Sequence, residues 1–109
     1  MNLIHNDKSS TVPLKLCNNF FSRFKGLMFV TKPIKSGIVI APCDSIHMFF
    51  MFQSIDVVMV DSKDNVMFVK ENVKPWTIIL PKNDVLKTFE LPLYTIQHLS
   101  IELGDKLTY

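Results

Sequence analysis

Short apolar stretches alternate with polar turns along most of this chain, a pattern that is typical of β-structure. The turns are rich in asparagine, aspartate, serine and proline, residues that end strands or accept unusual backbone angles. We therefore predict about eight short strands, one of them over residues 46–52. The strand that contains Pro13 is predicted to lie at a sheet edge, because proline has no N–H group for the ladder.

The clearest strand covers residues 55–60, where the run from Val57 to Val60 is apolar on both faces. This composition is typical of a central strand that is covered from both sides. A polar turn at residues 61–65 leads into a returning strand at residues 66–69. We therefore predict a hairpin, with Asn65 in the left-handed conformation that asparagine tolerates.

Two short helices are predicted beside the strands. Residues 20–25 place three phenylalanines on one face at helical spacing, and Gly26 follows as a C-terminal stop. Residues 95–99 form the second predicted helix. We expect one domain over residues 1–109, of mostly β (α+β) class: a small, strongly curved sheet or partly closed barrel with helices at one end or face.

Composition and charge narrow the range of functions. The 109 residues are 48% hydrophobic, which argues against disorder. The net charge is only +2, and Arg23 is the single arginine, so nucleic-acid binding is disfavoured. Neither a signal peptide nor a run long enough to span a membrane is recognisable. Cys17 and Cys43 fit no zinc or redox spacing, so we expect a cytoplasmic protein with reduced thiols and no cofactor.

Asp56 is the most informative polar residue, because by alternation its side chain shares a face with Val58 and Val60. A carboxyl group in an apolar layer must be hydrogen-bonded, paired with a cation or protonated. One interpretation is a structural acceptor for backbone N–H groups of a neighbouring loop, such as residues 26–28. The other is a general base or ligand contact at the mouth of a pocket. We favour the structural role.

A row of soft and polar side chains follows Pro42. In a regular strand, Cys43, His47, Phe49 and Met51 project on one side. Thiolate, imidazole and thioether groups suit Cu(I) or Zn(II), and Cys43 with His47 could alternatively act as nucleophile and base. Four residues of extended strand separate Cys43 from His47 by roughly 13 Å. Either chemistry therefore needs a sharp bend, and a structural role for both residues is favoured.

Glu90 is a further catalytic candidate. It lies between two apolar residues, and it could form an acid–base couple with Asp56 if their strands are adjacent. His47 is the other group that could assist Asp56. A small-molecule or hydrolytic site around Asp56 requires these side chains to converge on one pocket.

Residues 48–52 are apolar on both faces. They predict either another central strand or a partly open Met/Phe surface for a protein partner or a second copy of the chain. Phe49 and Met51 are its candidate contact residues, and Trp76 could extend it. We favour binding through this surface over catalysis.

Three segments, in this order and spacing, resemble the family called domain of unknown function 192. They are Arg23-Phe24-Lys25-Gly26-Leu27-Met28, then residues 43–51 running into Ile55-Asp56-Val57-Val58, then Phe89-Glu90-Leu91-Pro92 with Leu103-Gly104-Asp105. The resemblance covers residues 12–109 and implies a compact strand-rich fold without an assigned activity. It implies recurrent positions at Gly26, Leu27, Met28, Met51, Asp56, Glu90, Gly104 and Asp105, the glycines and Asp105 in structural roles.

The chain departs from this family pattern at three positions. Val30 stands where the family often has arginine, while Tyr94 and Ser100 stand where it usually has glycine. Because a tyrosine is disfavoured at positive φ, we expect this chain to close those two turns differently.

Overall fold

The computed structural model describes residues 1–19, 30–48 and 51–109. The described residues form a curled, half-barrel sheet, which confirms the predicted mostly β class. One helix, α1, is described at Thr95–Leu99, as predicted, and the helix predicted at residues 20–25 lies outside the described residues. The strands are β1 Asn2–His5, β2 Lys8–Cys17, β3 Gly37–Ile40, β4 Ile46–His47, β5 Ile55–Val60, β6 Val66–Val73, β7 Ile78–Ile79, β8 Lys87–Leu91 and β9 Leu107–Thr108.

Seven strands form the main sheet in the order β6-β5-β8-β3-β2-β1-β9. Neighbouring strands are antiparallel except β2 and β3, which run parallel. The remaining two strands, β4 and β7, pair with each other in an antiparallel two-stranded sheet, which we call the ribbon. No helix among the described residues is long and apolar enough to cross a membrane.

Strand β5 is buried at every position, which confirms the predicted central strand. Its residues alternate between two apolar clusters, because successive side chains of a strand point to opposite faces. Val58 and Val60 join the helix-side core, together with Leu3, Leu14, Val39, Val66, Phe89, Leu91, Ile96, Ile101 and Leu107. Val57 and Met59 join the ribbon-side core, together with Cys17, Ile38, Ile40, Ile46, Met48, Met51, Ile55, Val73 and Ile79.

The sheet curls until its two edges meet at one end. Asn65, in the turn before β6, forms an isolated bridge with Lys106, just before β9. The N–H of Val66 donates to the Asp105 carbonyl at 2.8 Å, and the N–H of Gly104 donates to the Val66 carbonyl at 2.9 Å. Gly104 has a φ of +89°, which glycine adopts without strain. Gly104 and Asp105 therefore lie at the closure of the half-barrel.

Three local predictions are wrong. Strand β2 is an interior strand, because its pairing passes from β1 to β3 around Pro13, where the missing N–H costs no ladder bond. In the turn after β5, Asp64 adopts the left-handed conformation, with φ of 66°, in place of Asn65. Of the strand predicted at residues 46–52, only Ile46–His47 is a strand; Met48, Met51 and Phe52 are not in one, and residues 49–50 lie outside the described residues.

The expectation that Tyr94 and Ser100 close their turns differently from glycine is also wrong. Tyr94 has a φ of 74° and Ser100 a φ of 54°, so both occupy the left-handed region that glycine favours. The surrounding bonds impose this conformation, since the N–H of Ser100 donates to Gln97 and the N–H of Ile101 to Ile96 at the end of α1. Non-glycine residues hold these angles under strain.

We expect Ser100→Gly to raise the free energy of unfolding by about 1 kcal/mol, because glycine removes the steric cost of the left-handed angle. Urea unfolding of the two proteins measures the difference. Ser62→Gly is the matched control, because Ser62 lies in a turn without a positive φ and glycine there adds only chain entropy. Equal destabilisation by both glycines would contradict the strain at Ser100.

Candidate functional site

Asp56 is fully buried on the helix-side face of β5, opposite Leu91 of β8. Its Oδ1 accepts the N–H of Asn72 at 3.1 Å, and its Oδ2 accepts the N–H of Ile96 at 3.0 Å. Ile96 lies in the first turn of α1, where backbone N–H groups have no partner within the helix. The carboxylate therefore fastens both α1 and β6 to the centre of the sheet.

The first of these donors, the N–H of Asn72, comes from an irregularity in β6. The pairs Ile55 with Val73 and Val57 with Lys70 leave one extra residue on β6, which is a β-bulge. Asn72 lies in this bulge with a φ of 53°, and its N–H is directed to Asp56. The described donors thus come from the bulge and the helix, while the loop at residues 26–28 lies outside the described residues.

Glu90 is buried on the other face of the sheet. Its cross-strand neighbours are Ile38 on β3 and Val57 on β5, both in the ribbon-side core. Only 5% of Glu90 is exposed, and its Oε2 has no hydrogen-bond partner among the described residues. Burial raises the pKa of Glu90 to about 7. A group of this kind exchanges a proton near neutral pH, so it is the described carboxyl best suited to acid–base chemistry.

The structure does not bring Asp56 and Glu90 together. Their strands are adjacent, as the acid–base couple requires, but Asp56 pairs with Leu91 and Glu90 pairs with Val57. Because side chains alternate across a sheet, the two carboxyl groups project from opposite faces. The ribbon, which carries His47, covers the face of Glu90, since Ile46 and Ile79 belong to the ribbon-side core.

Cys43 lies beside Glu90 at the edge of the ribbon-side core. Its thiol donates to the Ser45 carbonyl at 2.9 Å, and its own carbonyl accepts the Thr88 hydroxyl at 3.1 Å. Burial, with smaller contributions from the Glu90 and Asp44 carboxylates, raises the pKa of the Cys43 thiol. A thiol with a raised pKa is a poor nucleophile and a poor metal ligand at neutral pH.

Cys43 and Met51 lie outside β4, which covers only Ile46–His47, so Cys43, His47 and Met51 do not share one regular strand. Within the described ranges, no three His, Cys, Asp or Glu side chains are close enough to hold one metal ion. Met51 is buried in the ribbon-side core, and Phe49 lies outside the described residues, as does Gly26.

The outer face of the ribbon is unexpectedly apolar. Trp76, Ile78 and Leu80 are 57%, 55% and 69% exposed. Ile78 lies on β7 and Leu80 follows that strand, whereas Trp76 lies in the turn before it with a φ of 66°. We call these three residues the outer row. His47 on β4 pairs with Ile78 on β7. The pairing of the two segments continues beyond the strands, because the N–H of Met48 donates to the Thr77 carbonyl at 2.7 Å.

Sequence reasoning missed one further pair of side chains. His5 Nε2 lies 2.7 Å from Asp105 Oδ2, although 100 residues separate them in the chain. The pair forms because β1 and β9 are neighbours in the sheet. In the sequence, the Gly104-Asp105 pair of the family pattern is the signal for Asp105, and this signal does not identify His5 as its partner.

A half-barrel with two apolar cores and a central buried aspartate defines a compact β domain in which no cofactor motif was recognised. The chain belongs to the domain of unknown function 192 family, described as uncharacterized ACR, and it matches that family over residues 2–109. The match is longer than the 12–109 expected from the motifs, because it includes β1.

The chain is 37% identical over 101 residues to a UPF0127 protein of Thermococcus sibiricus, covering 88% of this chain and 65% of the relative. The chain thus spans just under two thirds of that relative. It is 34% identical over 107 residues to a UPF0127 protein of Pyrococcus furiosus, covering 94% and 90% of the two chains. A crystal structure of a protein of unknown function from Novosphingobium aromaticivorans has a TM-score of 0.80 at 23% identity, covering 98% of this chain and 83% of that one. This last likeness shows the fold alone.

Proposed function

We propose that this domain is a protein-binding module that receives an extended, apolar segment of a partner on the ribbon. The observation that carries the proposal is the outer row, three large apolar side chains that are exposed on and beside β7, while Ile79 of the same strand is buried in the ribbon-side core. A two-stranded ribbon that covers a core normally presents polar side chains to water. An apolar outer face is a feature of surfaces that bind a partner.

The edge of β7 supports an extended partner. Among the described strands β7 pairs with β4 alone, so its other edge has no strand beside it. Such an edge accepts an added strand through main-chain hydrogen bonds, and side chains at alternate positions then give specificity. Ile78 and Leu80 have this spacing, and Trp76 lies in the turn before them.

The charged residues that flank the outer row restrict the class of partner further. Lys74 precedes the outer row and is exposed, and Lys82 follows it, with its ammonium 4.8 Å from the centre of the Phe68 ring. A segment with apolar residues at alternate positions and a carboxylate near Lys74 complements this surface. A second copy of the chain is a less suitable occupant, because a two-fold contact brings the lysine-flanked row against itself.

Selection from a random peptide display library tests the proposal. We expect the selected peptides to carry alternating apolar residues with an acidic residue at one end. Leu80→Ser should weaken their binding at least about tenfold, corresponding to roughly 1.4 kcal/mol of lost apolar contact. Leu103→Ser is the matched control, because Leu103 is 68% exposed at a different place in the fold, against 69% for Leu80.

Two results would contradict the proposal. Equal loss of peptide binding in Leu80→Ser and Leu103→Ser would show that the ribbon is not the binding site. Concentration-dependent dimerisation that is lost in Leu80→Ser would make the second copy the occupant. The expected cytoplasmic location stays a prediction, consistent with two cysteines that are not joined in a disulfide.

A further inference from the structure

An open cleft of about 430 Å³ lies between the β1–β2 hairpin and the end of α1. The hairpin contributes residues from both of its strands and from the turn between them, and the helix contributes its last turn. The cleft is on a different part of the molecule from the ribbon. Its polar lining consists of His5, Asn6, Lys8, Ser9, Ser10 and His98.

The lining is one-sided in charge. The described lining residues include two histidines, one lysine, two serines and one asparagine, and none of them carries a carboxylate. Leu99 is the apolar member of the wall. A concave surface with a lysine, polar groups and no negative charge favours negatively charged ligands, because the positive field is concentrated within the concavity.

His5 is held in a fixed orientation at the base of this cleft. Its Nε2 is 2.7 Å from Asp105 Oδ2, and the same Asp105 oxygen accepts the N–H of Glu102 at 2.9 Å. The hydrogen bond to His5 is the main reason that the pKa of Asp105 is lowered, so the carboxylate is ionised at neutral pH. Nε2 therefore carries the hydrogen, and Nδ1 is the ring nitrogen left for another partner.

The neighbouring side chains divide into fixed and available groups. The Ser10 hydroxyl donates to the Leu3 carbonyl at 2.6 Å and accepts the N–H of Val12 at 3.2 Å, so it is fixed. Lys8, Ser9 and His98 show no hydrogen bond or ion pair from their side chains within the described part of the chain. These donors come from both walls of the cleft.

We infer that this cleft binds a small anion, a phosphate or carboxylate group, between Lys8 of the hairpin and His98 of α1, with His5 held at its base. The negative groups nearest in sequence are Asp7, in the hairpin turn, and Glu102, beyond α1. Neither lines the cleft, and Asp105 is engaged by His5. The inference is independent of the ribbon and its partner.

Histidine side-chain nitrogen NMR tests the site. Inorganic phosphate is titrated into the whole chain at constant pH, and ionic strength is held constant with chloride. We expect saturable shifts of the His5 and His98 ring signals but not of His47. A parallel titration with acetate distinguishes a phosphate site from a carboxylate site.

Variants test whether the NMR chemical-shift changes arise from phosphate that is bound in the cleft. Lys8→Gln and His98→Gln should each raise the dissociation constant for phosphate about tenfold, while Lys35→Gln, an exposed lysine outside the cleft, should leave it unchanged. Lys8 and Lys35 are both exposed, so both variants are expected to fold. Shifts that rise linearly without saturation for both anions, or a dissociation constant that is the same in all variants, would overturn the inference.

Discussion

Replacing Glu90 by glutamine is expected to raise the free energy of unfolding at pH 8 by about 3 kcal/mol, because the change removes a buried negative charge. Glu90 lies between Ile38 and Val57, and its Oε2 has no partner among the described residues. Burial raises the pKa of this carboxyl from the ordinary value of 4.5 to about 7. Ionisation of Glu90 in the folded protein is therefore costly.

The pH range of the effect follows from these two values. Between about pH 4.5 and about pH 7 the folded protein retains a proton that the unfolded chain has lost. The stability of the wild type should therefore fall as the pH rises through this range, and the whole loss persists above it. Below about pH 4.5 both states hold the proton, so the wild type and Glu90→Gln should differ little.

Urea unfolding across this pH range measures the effect. Glu90→Met is a useful second variant, because its side chain carries no polar atom that needs a partner in the ribbon-side core. Glu102→Gln serves as the control, because Glu102 is exposed. A wild-type stability that stays level from pH 5 to pH 8, or a gain in Glu90→Gln that does not depend on pH, would show that Glu90 is not a buried, protonated acid.

The second large effect is expected at Asp56, where alanine should lower the free energy of unfolding by about 3 kcal/mol. The buried N–H of Ile96 and the part-buried N–H of Asn72 then lose their acceptor, and a buried donor left unsatisfied costs roughly 1–3 kcal/mol. Because Ile96 lies in α1, the helix should lose much of its anchorage to the sheet.

Chemical unfolding of Asp56→Ala beside Glu71→Ala provides the comparison, because Glu71 is exposed next to the same bulge of β6. Asp56→Asn adds a further test, since its amide oxygen can accept only one of the two bonds well and should give an intermediate loss. Thermal unfolding gives the contradicting outcome. If the melting temperature of Asp56→Ala lies within a degree or two of that of the wild type, the carboxylate does not hold these elements, and a functional role for Asp56 gains support.

Much of the fold follows from local sequence patterns. The apolar run from Val57 to Val60 predicts the central strand β5, and alternation along that strand places Asp56 beside Val58 and Val60, as found in the helix-side core. The residues 95–99 of α1 were also predicted. These features succeed because period-two alternation and turn residues act over a few neighbouring positions.

Features that depend on distant contacts could not be predicted in this way. The segment at residues 46–52 has high apolar content, but among its described residues only Ile46–His47 form a strand, because strand pairing with β7 decides its length. Which face Glu90 occupies relative to Asp56 is set by the register of β5 against β8. The contact of His5 with Asp105 depends on the pairing of the first and last strands, which leaves no periodic signal.

The two hydrogen bonds of Asp56 couple the hydrogen exchange of two amides that lie far apart in sequence, those of Asn72 and Ile96. A helix of five residues is too short to persist by itself, so α1 depends on its contacts with the sheet, which include the packing of Ile96 in the helix-side core and the bond of its N–H to Asp56. The same carboxylate holds the bulge of β6, at Asn72. In heavy water, both amides should therefore exchange their hydrogen through the same cooperative opening. The helix, the bulge and the central strand then behave as one folding unit.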